Sequence, residues 1–236
     1  MIDIEILDDP DLVCSELLVE AARSGGHVVL TGGSGPQVAY AHAARQPQAW
    51  AGARLWFTDD RCVSPDDEVS NFGPIKTTLL DPVAAAGVEI GFCRRVLGEL
   101  GPEQGALDYE QALAELGGLG PPAQIEFELM LLGLGPDAHI CSMFPGQESL
   151  SERERLVVGV PVAGMEPFVP RVTMTFPAIG RARLVVLLAT GASKADAIAR
   201  GFGDNARPSP DAPVSLIAGH ADNIRVLLDS EAASRL

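Results

Sequence analysis

Leu129 to Gly146 reads LMLLGLGPDAHICSMFPG. Leu129 to Leu134 is apolar almost throughout, as a strand buried on both faces of a parallel sheet should be. Gly135-Pro136 then turns the chain sharply. Asp137 and His139 are thereby delivered to the C-terminal end of a strand, the edge at which open α/β sheets bind their ligands. The stretch predicts both the fold and the place to look for chemistry.

Working outward toward the C-terminus, Leu156–Val162 and Arg171–Phe176 read as strands, the second alternating Val172, Met174 and Phe176 with two threonines. Arg183–Thr190 is another buried run. Gly191-Ala192-Ser193-Lys194 then opens a short helix that Gly201 closes, Gly203–Pro213 is a loop, and Val214–Ala218 and Asn223–Leu228 read as two last strands. Toward the N-terminus, Ile125–Leu134 is expected as one long strand. Gly117–Pro122 is a break inside one domain, and Asp81–Gly120 is connecting structure around one helix, Pro102–Leu116. That helix carries Tyr109, Ala112, Leu113 and Leu116 on one face. Arg54–Thr58 and His27–Thr31 are short buried strands. A first helix starts at Asp9-Pro10 and ends at Gly25-Gly26, after an opening strand that alternates isoleucine with acidic residues. Strands alternating with helices and loops predict an α/β, Rossmann-like fold: a largely parallel sheet with helices on both faces, in a single domain over residues 1–236.

Composition bounds the function classes. A chain of 236 residues, 47% hydrophobic, can bury a full core. Its formal net charge of −15 repels nucleic acid and anionic membrane. The N-terminus lacks the basic region and apolar run of a signal peptide, and no apolar run reaches membrane-spanning length, so a cytoplasmic protein is expected. Cys14, Cys62, Cys93 and Cys141 form no CxxC pair, which points to reduced thiols rather than a disulfide or zinc framework. His27, His42 and His220 lie far from His139 in sequence, so no metal is expected. Nothing in the sequence fixes the oligomeric state; a monomer is the working expectation.

Four segments follow buried strands and should converge on one rim: Thr31–Ser34, Asp59–Arg61, Asp137–His139 and Ser193-Lys194. Gly32-Gly33-Ser34-Gly35, with Pro36 opening the next helix, offers backbone N–H groups to an anion, or is an ordinary βα turn. Asp59-Asp60-Arg61 is either chemistry or an acid–base pair on a solvated loop. Ser70 and Asn71 cap the helix that runs from Phe72 to Leu80, or bind a ligand. Lys194 in a first helical turn opposes the helix dipole, a cost a bound anion removes. Such a rim suits a small phosphorylated substrate and acid–base chemistry.

Taken together, LTGGSGP at 30–36, WFTDDRCV at 56–63 with Ser70-Asn71, the stretch at 133–146, and RVTMTFPAI at 171–179 resemble the 6-phosphogluconolactonase family. The resemblance runs over nearly the whole chain. It implies no cofactor and hydrolysis of 6-phospho-D-glucono-1,5-lactone in the oxidative pentose phosphate pathway. It implies His139 as general base, Asp137 orienting the ring or receiving a substrate hydroxyl, and Arg61 stabilising the oxyanion. It places the phosphate on Gly32, Gly33 and Ser34 with Arg171 and Lys194, and adds Asp59, Ser70 and Asn71 to the substrate site. The related glucosamine-6-phosphate deaminases and a noncatalytic sugar-phosphate binder are the alternatives. Deaminases of that family carry a tyrosine at the place of Arg61 and an acidic residue near Phe144, and Phe144 cannot move protons. Three positions depart from the family pattern: Gly35 for threonine, Asp60 for glutamate, and Ala138 for a glycine. Alanine resists positive φ, so a slightly reshaped loop is expected there.

Overall fold

The computed structural model describes residues 1–117 and 125–236. The strands in chain order are β1 (Ile2–Ile6), β2 (His27–Leu30), β3 (Arg54–Phe57), β4 (Asp59–Arg61), β5 (Phe92–Cys93), β6 (Leu129–Leu132), β7 (Val157–Val160), β8 (Arg171–Met174), β9 (Val185–Ala189) and β10 (Ile224–Leu228). The α-helices are α1 (Pro10–Arg23), α2 (Gln37–Ala43), α3 (Phe72–Ile75), α4 (Asp81–Ala85), α5 (Pro102–Gly117), α6 (Phe176–Ile179) and α7 (Ala195–Phe202). Seven strands form one wholly parallel sheet in the order β1-β10-β9-β6-β2-β3-β5. Its central strands, β9, β6 and β2, are apolar on both faces because helices cover both, as the reading of Leu129–Leu132 requires.

Local chemistry sets the helix ends. The Asp9 carboxylate accepts the N–H of Leu12 at 2.9 Å, Pro10 opens α1, and Gly25 at φ +73° leads the chain away from it. The chain's two tyrosines are both fully buried, and each ties up the backbone at the C-terminal end of a strand. Tyr40 on α2 accepts the N–H of Thr31 at 2.9 Å and donates to the carbonyl of the same residue at 2.7 Å. Tyr109 on α5 does the same for Phe57, at 2.7 and 3.1 Å. Both pairs of bonds lie where a strand leaves the sheet and its backbone groups lose their ladder partners.

Several expectations need correction. Asp59–Arg61 is not a loop: β4 pairs antiparallel with β8, and β7 with β8, in a separate three-stranded sheet. Arg171–Met174 and Val157–Val160 are therefore outside the parallel sheet. Thr58 is the crossing point, its N–H donating to Leu30 at 2.8 Å in one sheet and its carbonyl accepting from Met174 at 2.7 Å in the other. Val214–Ala218 is not a strand but part of a 3-10 helix, Pro213–Gly219; Pro213 at its start supplies no ladder N–H. The helix from Phe72 continues past Leu80 through a π-helical turn into α4, and β5 was also missed. Residues 125–134 hold only a four-residue strand. Helix α7 runs one residue beyond Gly201. On α5, Tyr109 and Leu113 are buried, but Leu116 is exposed; Gly105 and Ala106 complete the inner face instead. The predicted break at Gly117–Pro122 lies, after Gly117, outside the described residues. Among the described residues no helix is long and apolar enough to cross a membrane.

Candidate active site

The four segments expected at the carboxyl rim do meet, around a cavity of about 470 Å³. Gly32, Gly33 and Ser34 form one wall, Asp59, Arg61 and Asn71 a second, and His139 and Lys194 a third. Gly33 has φ +89°, as a turn that exposes successive N–H groups allows. A Cβ on Gly32 would lie 2.0 Å from the Asn71 side chain, so the two walls are in contact through a glycine.

The histidine is held by its own turn. Gly135 N–H donates to the His139 carbonyl at 2.9 Å, and Ala138 N–H to the Gly135 carbonyl at 3.0 Å. That closed turn brings Asp137 Oδ1 to 2.5 Å from His139 Nδ1. The carboxylate also accepts the His139 backbone N–H at 3.2 Å. Burial raises the Asp137 carboxyl, but these hydrogen bonds and the imidazole outweigh it and leave the group below its ordinary range. An anionic Asp137 keeps the proton on Nδ1 and leaves Nε2 as the basic nitrogen. Phe144 lies against the ring at 4.7 Å between centroids. Gly135 is required by the pair: a Cβ there would fall 2.1 Å from Nδ1 and 2.6 Å from Asp137 Oδ1. Ala138 itself takes φ +74°, the left-handed region that a Cβ resists, and is fully buried.

The opposite wall is a buried polar network. Asp59 accepts from Thr58 Oγ1 and Ser142 Oγ, each at 2.7 Å, and from Asn71 Nδ2 at 3.3 Å. Asp60, facing the other way, accepts backbone N–H groups of Arg61 and Asn71 at 2.7 Å and of Phe72 at 3.2 Å, and the Ser70 hydroxyl at 3.1 Å. Burial nevertheless pushes its carboxyl up to about 6. The cap expected from Asn71 is thus supplied by Asp60, while the Asn71 amide serves Asp59. Ser70 does not line the cavity; it bridges Asp60 and the Phe72 N–H, where its Oγ accepts at 3.1 Å.

Among the cations, Arg61 donates from Nη1 to the Val69 carbonyl, while its Nε is buried with no partner among the described residues. Lys194 is depressed by burial, against an opposing pull from Asp137. Arg171 is not brought to the cavity. Its Nε donates to Val169 at 3.0 Å and its Nη2 to Pro167 at 2.6 Å, and burial together with neighbouring Arg61 lowers it to about 10. The register sets Arg171 directly opposite Arg61 on the neighbouring strand, and its guanidinium is occupied by the Val169 and Pro167 carbonyls. Sequence reasoning missed Asp11, which reaches the cavity from the first turn of α1 and whose carboxyl is raised by burial and then by Asp9. Nothing in its local pattern distinguishes it from a helix-start acid. Sequence reasoning also gave Ser142 no role, although it is the link between the histidine loop and Asp59. Cys141 also lines the cavity, its thiol held well above the ordinary range by burial and then by Asp59.

Known proteins place the arrangement. The family model for glucosamine-6-phosphate isomerases/6-phosphogluconolactonase matches residues 13–226. The 6-phosphogluconolactonase of Mycobacterium tuberculosis is 37% identical over 223 residues, 92% of this chain and 87% of its own. That of Homo sapiens is 33% identical over 221 residues, 91% and 82% of the two chains. The solved 6-phosphogluconolactonase from Trypanosoma brucei superposes with a TM-score of 0.82 at 26% identity, covering 100% of this chain and 99% of that one. With the model matched from α1 to β10 and relatives similar over most of both lengths, this chain belongs to the glucosamine-6-phosphate isomerase/6-phosphogluconolactonase family.

Proposed function

We infer that this enzyme hydrolyses 6-phospho-D-glucono-1,5-lactone to 6-phospho-D-gluconate, with His139 as the base. The observation that carries the reading is the Asp137–His139 pair at the carboxyl rim, with His139 lining a cavity that also presents an anion turn and the cations Arg61 and Lys194. Asp137 holds Nδ1–H, and Nε2 takes a proton from water as that water attacks the lactone carbonyl. Charge develops on the carbonyl oxygen, where fixed donors act most strongly; Arg61, with an unpartnered buried Nε, is assigned that role. As the ring C–O bond breaks, the proton on Nε2 is available to the leaving oxygen. Gly32, Gly33 and Ser34 take the phosphate with Lys194. Asp59 and Asn71 hold sugar hydroxyls, with Ser70 acting through Asp60, and Arg171 supports β4 rather than touching the phosphate. Phe144, buried against His139, supplies no group for a ring-opening proton transfer, which disfavours deamination.

We also propose that residues 1–236 work as one unit, because the cavity draws on segments from Asp11 to Lys194. A small phosphorylated lactone as the partner, without nucleic acid or membrane, and action in the cytoplasm, fit the acidic chain. The test is a coupled assay with freshly generated lactone, corrected for spontaneous hydrolysis. His139→Ala should lower kcat by about 10²- to 10⁴-fold while leaving inorganic phosphate affinity nearly intact. No acceleration over the blank, or deamination of glucosamine 6-phosphate in its place, would overturn the reading.

A further inference from the structure

We propose that Arg200, on α7, is a positioning residue of the hydrolytic centre: it grips the Asp137 carbonyl and so holds the Asp137–His139 pair through a left-handed alanine. The inference deepens the reading above and rests on His139 being the base.

The turn at residues 135–139 is closed by its own hydrogen bonds, Gly135 N–H to His139 O and Ala138 N–H to Gly135 O. Those bonds travel with the turn and do not fix its attitude to the sheet. The groups that do so come from outside. Arg200 Nη1 donates to the Asp137 carbonyl at 3.1 Å, and the Val214 N–H donates to the Ala138 carbonyl at 3.0 Å. The two peptide groups on either side of the Asp137–Ala138–His139 junction are therefore each held from a separate element, α7 and the 213–219 helix. Arg200 Nη2 also donates to the Asp211 carbonyl, which ties the guanidinium to the segment leading into that helix. A charged donor makes the stronger kind of hydrogen bond, and a planar guanidinium spans two carbonyls at once.

The grip matters because of what it holds. Ala138 sits at φ +74°, a region that side chains with a Cβ resist, and Cys141 follows at φ +52°. If the Asp137–Ala138 peptide relaxes, Asp137 Oδ1 moves with it, and its 2.5 Å contact to His139 Nδ1 is the contact that fixes the imidazole. Arg200 is exposed and does not line the cavity, so it acts through the turn and not on the substrate.

The experiment is a double-mutant cycle on kcat and KM, with folding checked by thermal melts. Arg200→Ala should fold and lose about tenfold in kcat with KM changed by less than about twofold, since reacting groups are displaced but phosphate contacts are not. Arg200→Lys, keeping a charged donor, should recover part of the loss. In the Ala138→Gly background the same Arg200→Ala change should cost less than about threefold, because glycine holds positive φ without outside help. Equal losses in both backgrounds, or a loss confined to KM, would overturn the proposal. Full turnover by His139→Ala would instead overturn the assignment of the base, so the two failures are told apart.

Discussion

At the scale of single residues, the site depends on close approaches that leave no room for carbon. Gly135→Ala adds a Cβ 2.1 Å from His139 Nδ1, and the imidazole or the turn must move. The expected result is a loss of about 10²-fold or more in kcat, in a protein that still folds, checked by steady-state assay beside circular dichroism. Lys194 gives a residue-scale pH dependence. Burial depresses its pKa, and in the proposed phosphate site the ammonium is the binding form, so affinity should be present below that pKa and lost as pH rises through it. Inorganic phosphate should therefore weaken as a competitive inhibitor at a pH below the ordinary lysine value of about 10.4. Lys194→Arg should move that limb to higher pH; an unchanged limb removes Lys194 from the phosphate site.

At the scale of elements, the two tyrosines do what neighbouring strands do elsewhere. Tyr40→Phe leaves the N–H and carbonyl of Thr31 without a partner in a buried place, directly before the anion turn. A destabilisation of about 2 kcal/mol is expected by urea unfolding, together with weaker phosphate inhibition, because α2 no longer holds the end of β2. A stability loss without any change in phosphate affinity would separate α2 from the site. This is also where sequence reading stopped short. The parallel strands are legible because burial on both faces demands continuous apolar runs, as at Leu129–Leu132 and Val185–Ala189. The DDR segment of β4 has no apolar pattern; it is a strand because Arg171–Thr173 pairs with it, a contact more than a hundred residues away in sequence. Val214–Ala218 reads apolar for a different reason, being a 3-10 turn packed into the core. His139, Lys194 and the glycine turn were legible because they follow strands directly. Arg171 was misplaced and Arg200 unseen, since each depends on which carbonyls a guanidinium meets, and no local pattern records that.

At the scale of the whole molecule, charge sets how substrate arrives. The chain carries a net −15, and the substrate is a phosphate ester of the same sign. The cavity wall does not reverse that field: Arg61 and Lys194 are balanced by Asp11 and Asp59, with Asp137 directly behind His139. Long-range repulsion and short-range attraction are screened differently. Between about 0.01 and 0.1 M ionic strength the Debye length falls from roughly 30 to 10 Å, which removes the field of the distant carboxylates but leaves contacts with Lys194 and the glycine turn largely intact. The value of kcat/KM should therefore rise, by about two- to threefold, as salt increases over that range, and fall only at higher salt as those contacts are screened in turn. Replacing acids at the opposite edge of the sheet, such as exposed Glu126 and half-buried Glu128, both paired with Arg183, by glutamine should flatten the rise without changing kcat. A steady fall of kcat/KM from the lowest salt upward would mean that the cavity cations dominate the approach, and that the acidic surface is electrostatically silent toward the substrate.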